Sequence, residues 1–115
     1  MSIINRPWGY YINIEGSDDG PYKVKKIVVY PGKKLSLQLH KYRSEHWTIV
    51  QGTGIVQVGM DKHNVEQNRS IYIPKETLHR IQCTSDENLE FIEVQVGDYL
   101  GEDDIVRLED DFGRV

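Results

Sequence analysis

The chain has 115 residues, which is enough for one domain with a single hydrophobic core, over residues 1–115. Its 14 basic residues are scattered and are outnumbered by 18 acidic ones, for a net charge of -4, which argues against nucleic acid as a main partner. Apolar runs are too short to cross a bilayer, and the N-terminus lacks a signal-peptide pattern, so we expect a cytoplasmic protein without membrane association. One cysteine, Cys83, excludes an intrachain disulfide framework.

Short runs rich in Ile, Val and Tyr alternate with turn-forming clusters along the chain, and no stretch of useful length has helical periodicity. Many short strands without intervening helices are typical of a double-sheet sandwich or barrel. We therefore predict an all-β fold with strands at residues 10–15, 22–30, 34–40, 46–51, 54–60, 70–73, 78–84 and 89–96.

Four side chains with metal-binding chemistry follow a regular spacing, Gly32-x5-Gln38-x-His40-x4-Glu45-x6-Gly52 and then Pro74-x4-His79. Gln38 and His40 are two residues apart in a predicted strand, so they point to the same face. Each residue alone is more often a surface or hydrogen-bonding side chain, and the joint spacing is what predicts a site. Two imidazoles, a carboxylate and a carboxamide favour one divalent metal, Zn²⁺ first, with Fe²⁺, Mn²⁺, Co²⁺ or Ni²⁺ as alternatives.

Strand alternation also predicts which faces are apolar. Leu35, Leu37 and Leu39 would share the face opposite the metal ligands, and that row must be covered. We expect a homodimer to cover it, with the N-terminal strands of the same chain as the alternative. In the last long strand Glu93 would point inward beside Phe91, which makes it either an acid–base residue or a structural hydrogen-bonding glutamate.

These motifs resemble those of the cupin superfamily, with Gln38 where many cupins have their first histidine. The run from Gln38 to Trp47, the segment from Ile73 to His79, and the matches at Arg6-Pro7-Trp8-Gly9 and Glu93-Val94-Gln95 resemble the type II mannose-6-phosphate isomerase domain over nearly the whole chain. Glu76 departs from that pattern, because the second motif usually has glycine there. The resemblance implies a cupin-type double-sheet jelly-roll barrel.

The resemblance also implies a function: a metal-dependent aldose–ketose isomerase that interconverts mannose 6-phosphate and fructose 6-phosphate through a cis-enediol. The chain would be the isomerase part alone, without the guanylyltransferase domain that precedes it in many relatives. Arg43 is the candidate for holding enediolate or phosphate charge, and Glu93 is the first candidate for the base, ahead of His46, which strand alternation points away from the site. Further candidates for contacts to the phosphate are Lys33, Lys34, Arg80 and Arg107.

Two other classes stay open. One is a cupin that binds a sugar phosphate or sugar nucleotide without turnover. The other is a metal-dependent cupin oxygenase or a different sugar isomerase, although a fourth protein ligand from Gln38 favours a non-redox metal.

The acidic tail, residues 101–115, is the last predicted feature. Ile105, Leu108 and Phe112 lie at helical spacing, which predicts a short docking segment. The matches at Arg107 and Arg114 favour a tail that folds over the site.

Overall fold

The computed structural model describes residues 2–113, which form eleven β-strands in two antiparallel sheets and no helix. None of the described residues belongs to a helix that could span a membrane. The strands are β1 (Ile3–Arg6), β2 (Gly9–Gly16), β3 (Tyr22–Val29), β4 (Leu37–Leu39), β5 (Arg43–Gln51), β6 (Gly54–Val58), β7 (Asp61–Val65), β8 (Ser70–Ile73), β9 (His79–Cys83), β10 (Leu89–Gly97) and β11 (Val106–Glu109).

The six-stranded sheet has the order β1-β2-β3-β10-β5-β8, and the five-stranded sheet has the order β11-β4-β9-β6-β7. A hydrophobic core fills the barrel and includes Trp8, Trp47, Ile81 and Phe91. The alternation predicted for the last long strand is confirmed, since Phe91 and Glu93 are buried while the residues between and after them are more exposed. The predicted all-β jelly-roll fold is thus confirmed.

Two sequence predictions about polar segments were wrong, at residues 61–64 and in the tail. Residues 61–64, which form a turn-forming cluster outside every predicted strand, belong to β7, because they pair with β6 in spite of their polar side chains. The tail contains β11, which pairs with β4, so the helical spacing of its apolar residues did not predict its structure. Arg114 lies outside the described residues.

The predicted strand over residues 34–40 is interrupted, which overturns the predicted leucine row. Lys34 forms an isolated bridge to Gln82, and regular pairing resumes at β4. Leu35 therefore packs into the core cluster, and Leu35 and Leu37 are each only 9% exposed in the single chain. The argument that this row needs a partner subunit is wrong, and the homodimer itself stays a prediction.

Candidate metal centre

A cavity of about 80 Å³ lies between the two sheets. Its walls come from the inward faces of β3, β4, β5, β9 and β10 and from the segment that leads into β11. Most of its lining side chains are charged or can bind a metal, although they are largely buried. These polar lining residues are Arg6, Lys25, Gln38, His40, Arg43, Glu45, His79, Glu93, Glu102 and Arg107.

Three of the four predicted metal ligands meet in this cavity. The ligand atoms of His40, Glu45 and His79 all lie within 4.8 Å of one another, and all three residues are buried. The fourth, Gln38, is also buried, lines the same cavity and lies directly opposite His79 in the β4–β9 ladder. The sheet register therefore assembles residues that are up to 41 positions apart in the sequence.

Hydrogen bonds fix the orientation of both imidazole rings. Nδ1 of His40 lies 2.6 Å from the backbone oxygen of Asp104, and Nδ1 of His79 lies 2.9 Å from the backbone oxygen of Thr77. A carbonyl oxygen can only accept, so each Nδ1 must carry the proton and donate it. In a neutral ring Nε2 is then unprotonated and presents its lone pair to the site. This is the arrangement that commonly orients histidine ligands of metals.

Burial keeps both rings neutral. Desolvation, assisted by the charge of Arg43, lowers the pKa of His40 to about 4 even though Glu45 opposes the shift. Burial likewise lowers the pKa of His79. Burial disfavours the charged form of Glu45, but the charge and the hydrogen bond of Arg43 outweigh it and lower the pKa of this carboxyl. At neutral pH the site thus offers two lone pairs and a carboxylate.

This chemistry fits a cation. Nε2 of His40 lies 3.3 Å from Oε2 of Glu45, and because the ring is neutral with its proton on Nδ1, both atoms are acceptors. Two acceptors at this distance repel each other unless a positive charge lies close to both. Arg43 supplies part of that charge, with one guanidinium nitrogen 3.2 Å from Nε2 of His40 and Nε 2.8 Å from Oε2 of Glu45. A divalent ion held by His40, Glu45, His79 and Gln38 would bring positive charge to all of these acceptor atoms at once.

The two predicted catalytic residues line the same cavity. Arg43 precedes the strand predicted over residues 46–51 and was expected on the turn before it, but it is the first residue of β5 and is buried on the same face as Glu45. Glu93 is also buried, and its Oε2 accepts a hydrogen bond from Nε2 of Gln95 at 2.6 Å. Burial, together with the nearby charge of Glu45, raises the pKa of Glu93 to about 8, so it is protonated at neutral pH. His46 is exposed on the opposite face of the sheet, where its ring stacks on Tyr72.

Among the further candidates for phosphate contacts, Arg107 lines the cavity. Lys34 and Arg80 instead form ion pairs with acidic residues of the tail, Asp111 and Glu109 respectively. Lys33 lies near the ring of Phe112, with its ammonium nitrogen 5.9 Å from the ring centre.

Sequence reasoning missed the buried cations of β3. Lys23 and Lys25 alternate with half-buried residues and continue the inward face of Ile27 and Val29. That alternation is visible in the sequence, but lysines are so rarely buried that it did not lead to a prediction of inward-facing lysines. It also missed Glu102, which reaches the cavity from a loop whose position no local pattern predicts.

The two antiparallel sheets form a cupin-type barrel, with the candidate metal ligands inside it. Solved structures agree on the fold: CapF from Staphylococcus aureus superposes with a TM-score of 0.81 at 18% identity, covering 95% of this chain and 32% of that one. The Cnp3 cupin domain of Schizosaccharomyces pombe superposes with a TM-score of 0.73 at 12% identity, covering 77% of this chain and 64% of that one. More specifically, the chain belongs to the family described as "Mannose-6-phosphate isomerase C-terminal", which matches residues 2–110.

Curated relatives match almost the whole chain. It is 48% identical to xanthan biosynthesis protein XanB of Xanthomonas campestris and 47% identical to alginate biosynthesis protein AlgA of Pseudomonas aeruginosa, in each case over 96% of this chain. It is 45% identical to mannose-1-phosphate guanylyltransferase of Escherichia coli over 97% of this chain. The chain spans 23% of the length of each of these proteins.

These relatives overturn the predicted function. They are named for a guanylyltransferase and for polysaccharide biosynthesis, so the prediction of a stand-alone enzyme that interconverts mannose 6-phosphate and fructose 6-phosphate was wrong. The motifs around His40 and His79 identify the domain family, whereas the names refer to proteins about four times as long. Ligand spacing constrains the metal site and the fold, and it does not specify the reaction.

Proposed function

We propose that this chain forms a mononuclear divalent-metal centre, with zinc as the preferred ion, that binds a sugar phosphate and transfers a proton on it. The observation that carries the proposal is the pair of oriented imidazoles facing a buried carboxylate, all with ligand atoms within 4.8 Å. The Escherichia coli relative, whose name contains mannose 1-phosphate, supports a sugar phosphate as the ligand class.

The metal, when bound by His40, Glu45, His79 and Gln38, would supply a Lewis acid that polarises a carbonyl or hydroxyl oxygen of the ligand. Arg43 carries a fixed positive charge against the same site and stabilises negative charge that develops on ligand oxygens. Glu93 holds a proton in the cavity at neutral pH, and its raised pKa suits proton exchange near that pH. Arg43, Glu45 and Glu93 are buried, which limits the access of bulk water to these groups.

Metal binding is tested first, by removing metal with a chelator and titrating zinc while the bound metal is quantified. His40→Ala and His79→Ala should each reduce the bound zinc strongly, since each removes a ligand that no neighbouring group replaces. His63→Ala is the matched control, because His63 is exposed on β7, and it should bind zinc like the unmodified chain. If the two ligand variants bind zinc as the control does, this site is not the metal centre.

Proton transfer is tested without assuming a product. The zinc-loaded chain is incubated in D₂O with a panel of sugar phosphates, and deuterium incorporation next to the carbonyl carbon is followed by NMR. Glu93→Gln should lose incorporation by about 10²- to 10⁴-fold while it keeps its metal, because the amide cannot carry the proton. Incorporation by Glu93→Gln at the unmodified rate would contradict the role of Glu93.

The coverage of the relatives favours a second candidate, a metal-containing domain that binds a sugar phosphate without converting it. The chain spans 23% of proteins named for other activities, so a ligand-binding part of a longer enzyme matches this finding. Zinc-dependent binding of a sugar phosphate without deuterium incorporation for any member of the panel would establish this candidate in place of the first.

A further inference from the structure

Two buried cations, Lys25 and Arg43, lie beside one carboxylate at the wall of the cavity. A third, Lys23, lies nearby, where its ammonium group pairs with Asp18 and donates to the backbone oxygen of Leu100. Lys23, Lys25 and Arg43 are 8%, 2% and 5% exposed. Glu102 places Oε2 2.6 Å from Nζ of Lys25 and 3.9 Å from a guanidinium nitrogen of Arg43, yet its own side chain is 47% exposed. All three cations favour the charged form of Glu102 and hold its pKa below the ordinary value, although partial burial opposes this.

The cations and the carboxylate differ in how firmly they are held. Lys23 and Lys25 lie in β3, which pairs along its length with both β2 and β10. Arg43 lies at the start of β5. Glu102 instead lies in the connection between β10 and β11, so the positive charges belong to the sheet and the negative charge belongs to a loop.

That loop is fastened on both sides of Glu102. Before it, Leu100 is fully buried and its backbone N–H donates to the backbone oxygen of Asp18 at 2.9 Å. After it, the carboxylate of Asp104 accepts hydrogen bonds from the backbone N–H groups of Lys41 and Tyr42 at 2.9 and 3.0 Å. The half-exposed side chain of Glu102 can therefore rotate into solvent while both anchors stay in place.

We propose that Lys25 and Arg43 form a subsite for a dianionic oxyanion such as a phosphoryl group, and that Glu102 occupies this subsite until the ligand displaces it. The identity of the ligand as a sugar phosphate rests on the proposed function; the subsite itself does not. Lys25 is buried against the ring of Tyr11, with Nζ 4.3 Å from the ring centre, and therefore needs an anion at this position.

The charges explain why the ligand must be a dianion. Glu102 is tethered beside Lys25, so it competes at a high effective concentration. A monoanionic carboxylate would offer Lys25 the same charge that Glu102 already provides, whereas a phosphoryl dianion brings two charges and more acceptor oxygens. Glu102 thus selects against weakly charged ligands and lowers the apparent affinity for all of them.

The experiment measures the Kd for inorganic phosphate with the full chain, by titration calorimetry and by amide shifts. Glu102→Gln keeps the shape and removes the competing charge, so phosphate should bind at least about tenfold more tightly. Asp103→Asn is the matched control: it makes the same charge change one residue away, where the carboxylate contacts Tyr99 outside the cavity, and should leave the Kd within about twofold. Equal effects of the two variants would overturn the proposal.

A second pair of variants tests Lys25 in the Glu102→Gln background, where no acid is left unpaired. Lys25→Met should abolish the gain in affinity, and Lys25→Arg should keep most of it because the charge remains. Tight phosphate binding by the Lys25→Met double variant would overturn the subsite. Sulfate should compete with phosphate and acetate should not; competition by acetate at equal concentration would overturn its preference for dianions.

Zinc content is measured on the same samples. A chain that binds no zinc but shows the predicted phosphate pattern supports the subsite and contradicts the proposed metal centre. A chain that binds zinc through His40 and His79 but shows equal phosphate affinity in Glu102→Gln and Asp103→Asn supports the metal centre and overturns the subsite.

Discussion

Replacing Arg43 with Met tests the electrostatics of the site through stability. Arg43 is buried, and its guanidinium contacts Glu45, His40 and the backbone oxygen of Gly101 at 2.8 to 3.4 Å. The Met side chain keeps most of the aliphatic volume and removes the charge, which leaves Glu45 ionised in a buried site. Breaking a buried ion pair from one side typically costs about 3–5 kcal/mol.

The structure places the expected loss near the lower end of that range, at about 3 kcal/mol in the metal-free chain. Glu45 keeps one compensating hydrogen bond, from Nε1 of Trp47 at 2.9 Å, so it is not left without a donor. Zinc bound to the same carboxylate supplies positive charge directly, so the loss should be clearly smaller in the zinc-loaded chain. The difference between the two states measures how far the metal replaces Arg43.

Urea denaturation, followed by the fluorescence of the buried Trp8 and Trp47, gives the free energies of unfolding with chelator and with zinc. Arg69→Met is the control, because Arg69 is exposed, and it should change stability by no more than about 0.5 kcal/mol. If Arg43→Met costs less than about 1 kcal/mol without metal, the buried ion pair does not stabilise Glu45 as argued. An equal loss with and without zinc would refute the shared role of Arg43 and the metal.

Three further predictions concern the backbone, a buried acid and assembly. Glu76 has a φ of 58°, a conformation that favours glycine, so Glu76→Gly should stabilise the chain by about 0.5–1 kcal/mol in urea denaturation. Lys75→Gly is the control and should destabilise the chain. A loss of stability in Glu76→Gly would refute backbone strain at this position. Glu93 is protonated in the folded chain up to pH about 8 but ionised when unfolded above pH about 4.5, whereas the lowered pKa values of His40 and His79 make stability rise with pH below about 6.5. The stability of the metal-free chain should therefore fall as pH rises from about 6.5 to about 8, where only Glu93 contributes. Glu93→Gln should remove that slope, and an unchanged pH profile would contradict the raised pKa. Homodimer formation stays a prediction, with its surface now expected on the exposed sheet face that carries Tyr72 and Val96, and light scattering that gives a 13.4 kDa monomer at micromolar concentration would contradict it.

Sequence patterns predicted those parts of the site that lie within regular strands. Glu93 was placed on the inward face by alternation alone, and β10 is regular enough for that reasoning to hold. The same reasoning failed at Leu35, because the chain leaves the ladder after Lys34 and alternation does not continue across the gap. Strand alternation is reliable where every residue pairs with a neighbour, and the sequence does not show where pairing stops.

Contacts between distant segments were the harder part to predict. The ring orientation of His40 depends on the backbone oxygen of Asp104, which lies 64 residues away in the sequence. Backbone oxygens have no sequence signature, so no motif could indicate this hydrogen bond. The proximity of Glu102 to Lys25 has the same origin, because it follows from the position of the loop between β10 and β11.

The register of three adjacent strands explains why a polar cavity can exist inside so small a barrel. In β3, β10 and β5 the inward residues change from polar to apolar along each strand, and antiparallel pairing places the polar halves side by side. The charged groups then lie at one end of the barrel, where they can pair with one another and with a metal, and the other end holds the apolar core. A one-residue slip of any strand would turn its charged residues outward and its solvent-facing residues into the core. The register that forms the core therefore also forms the site. The paired inward positions, from the polar end to the apolar end, are Lys23 with Gln95, Lys25 with Glu93, Ile27 with Phe91 and Val29 with Leu89, and across β5 they are Glu45 with Gln95, Trp47 with Glu93 and Ile49 with Phe91.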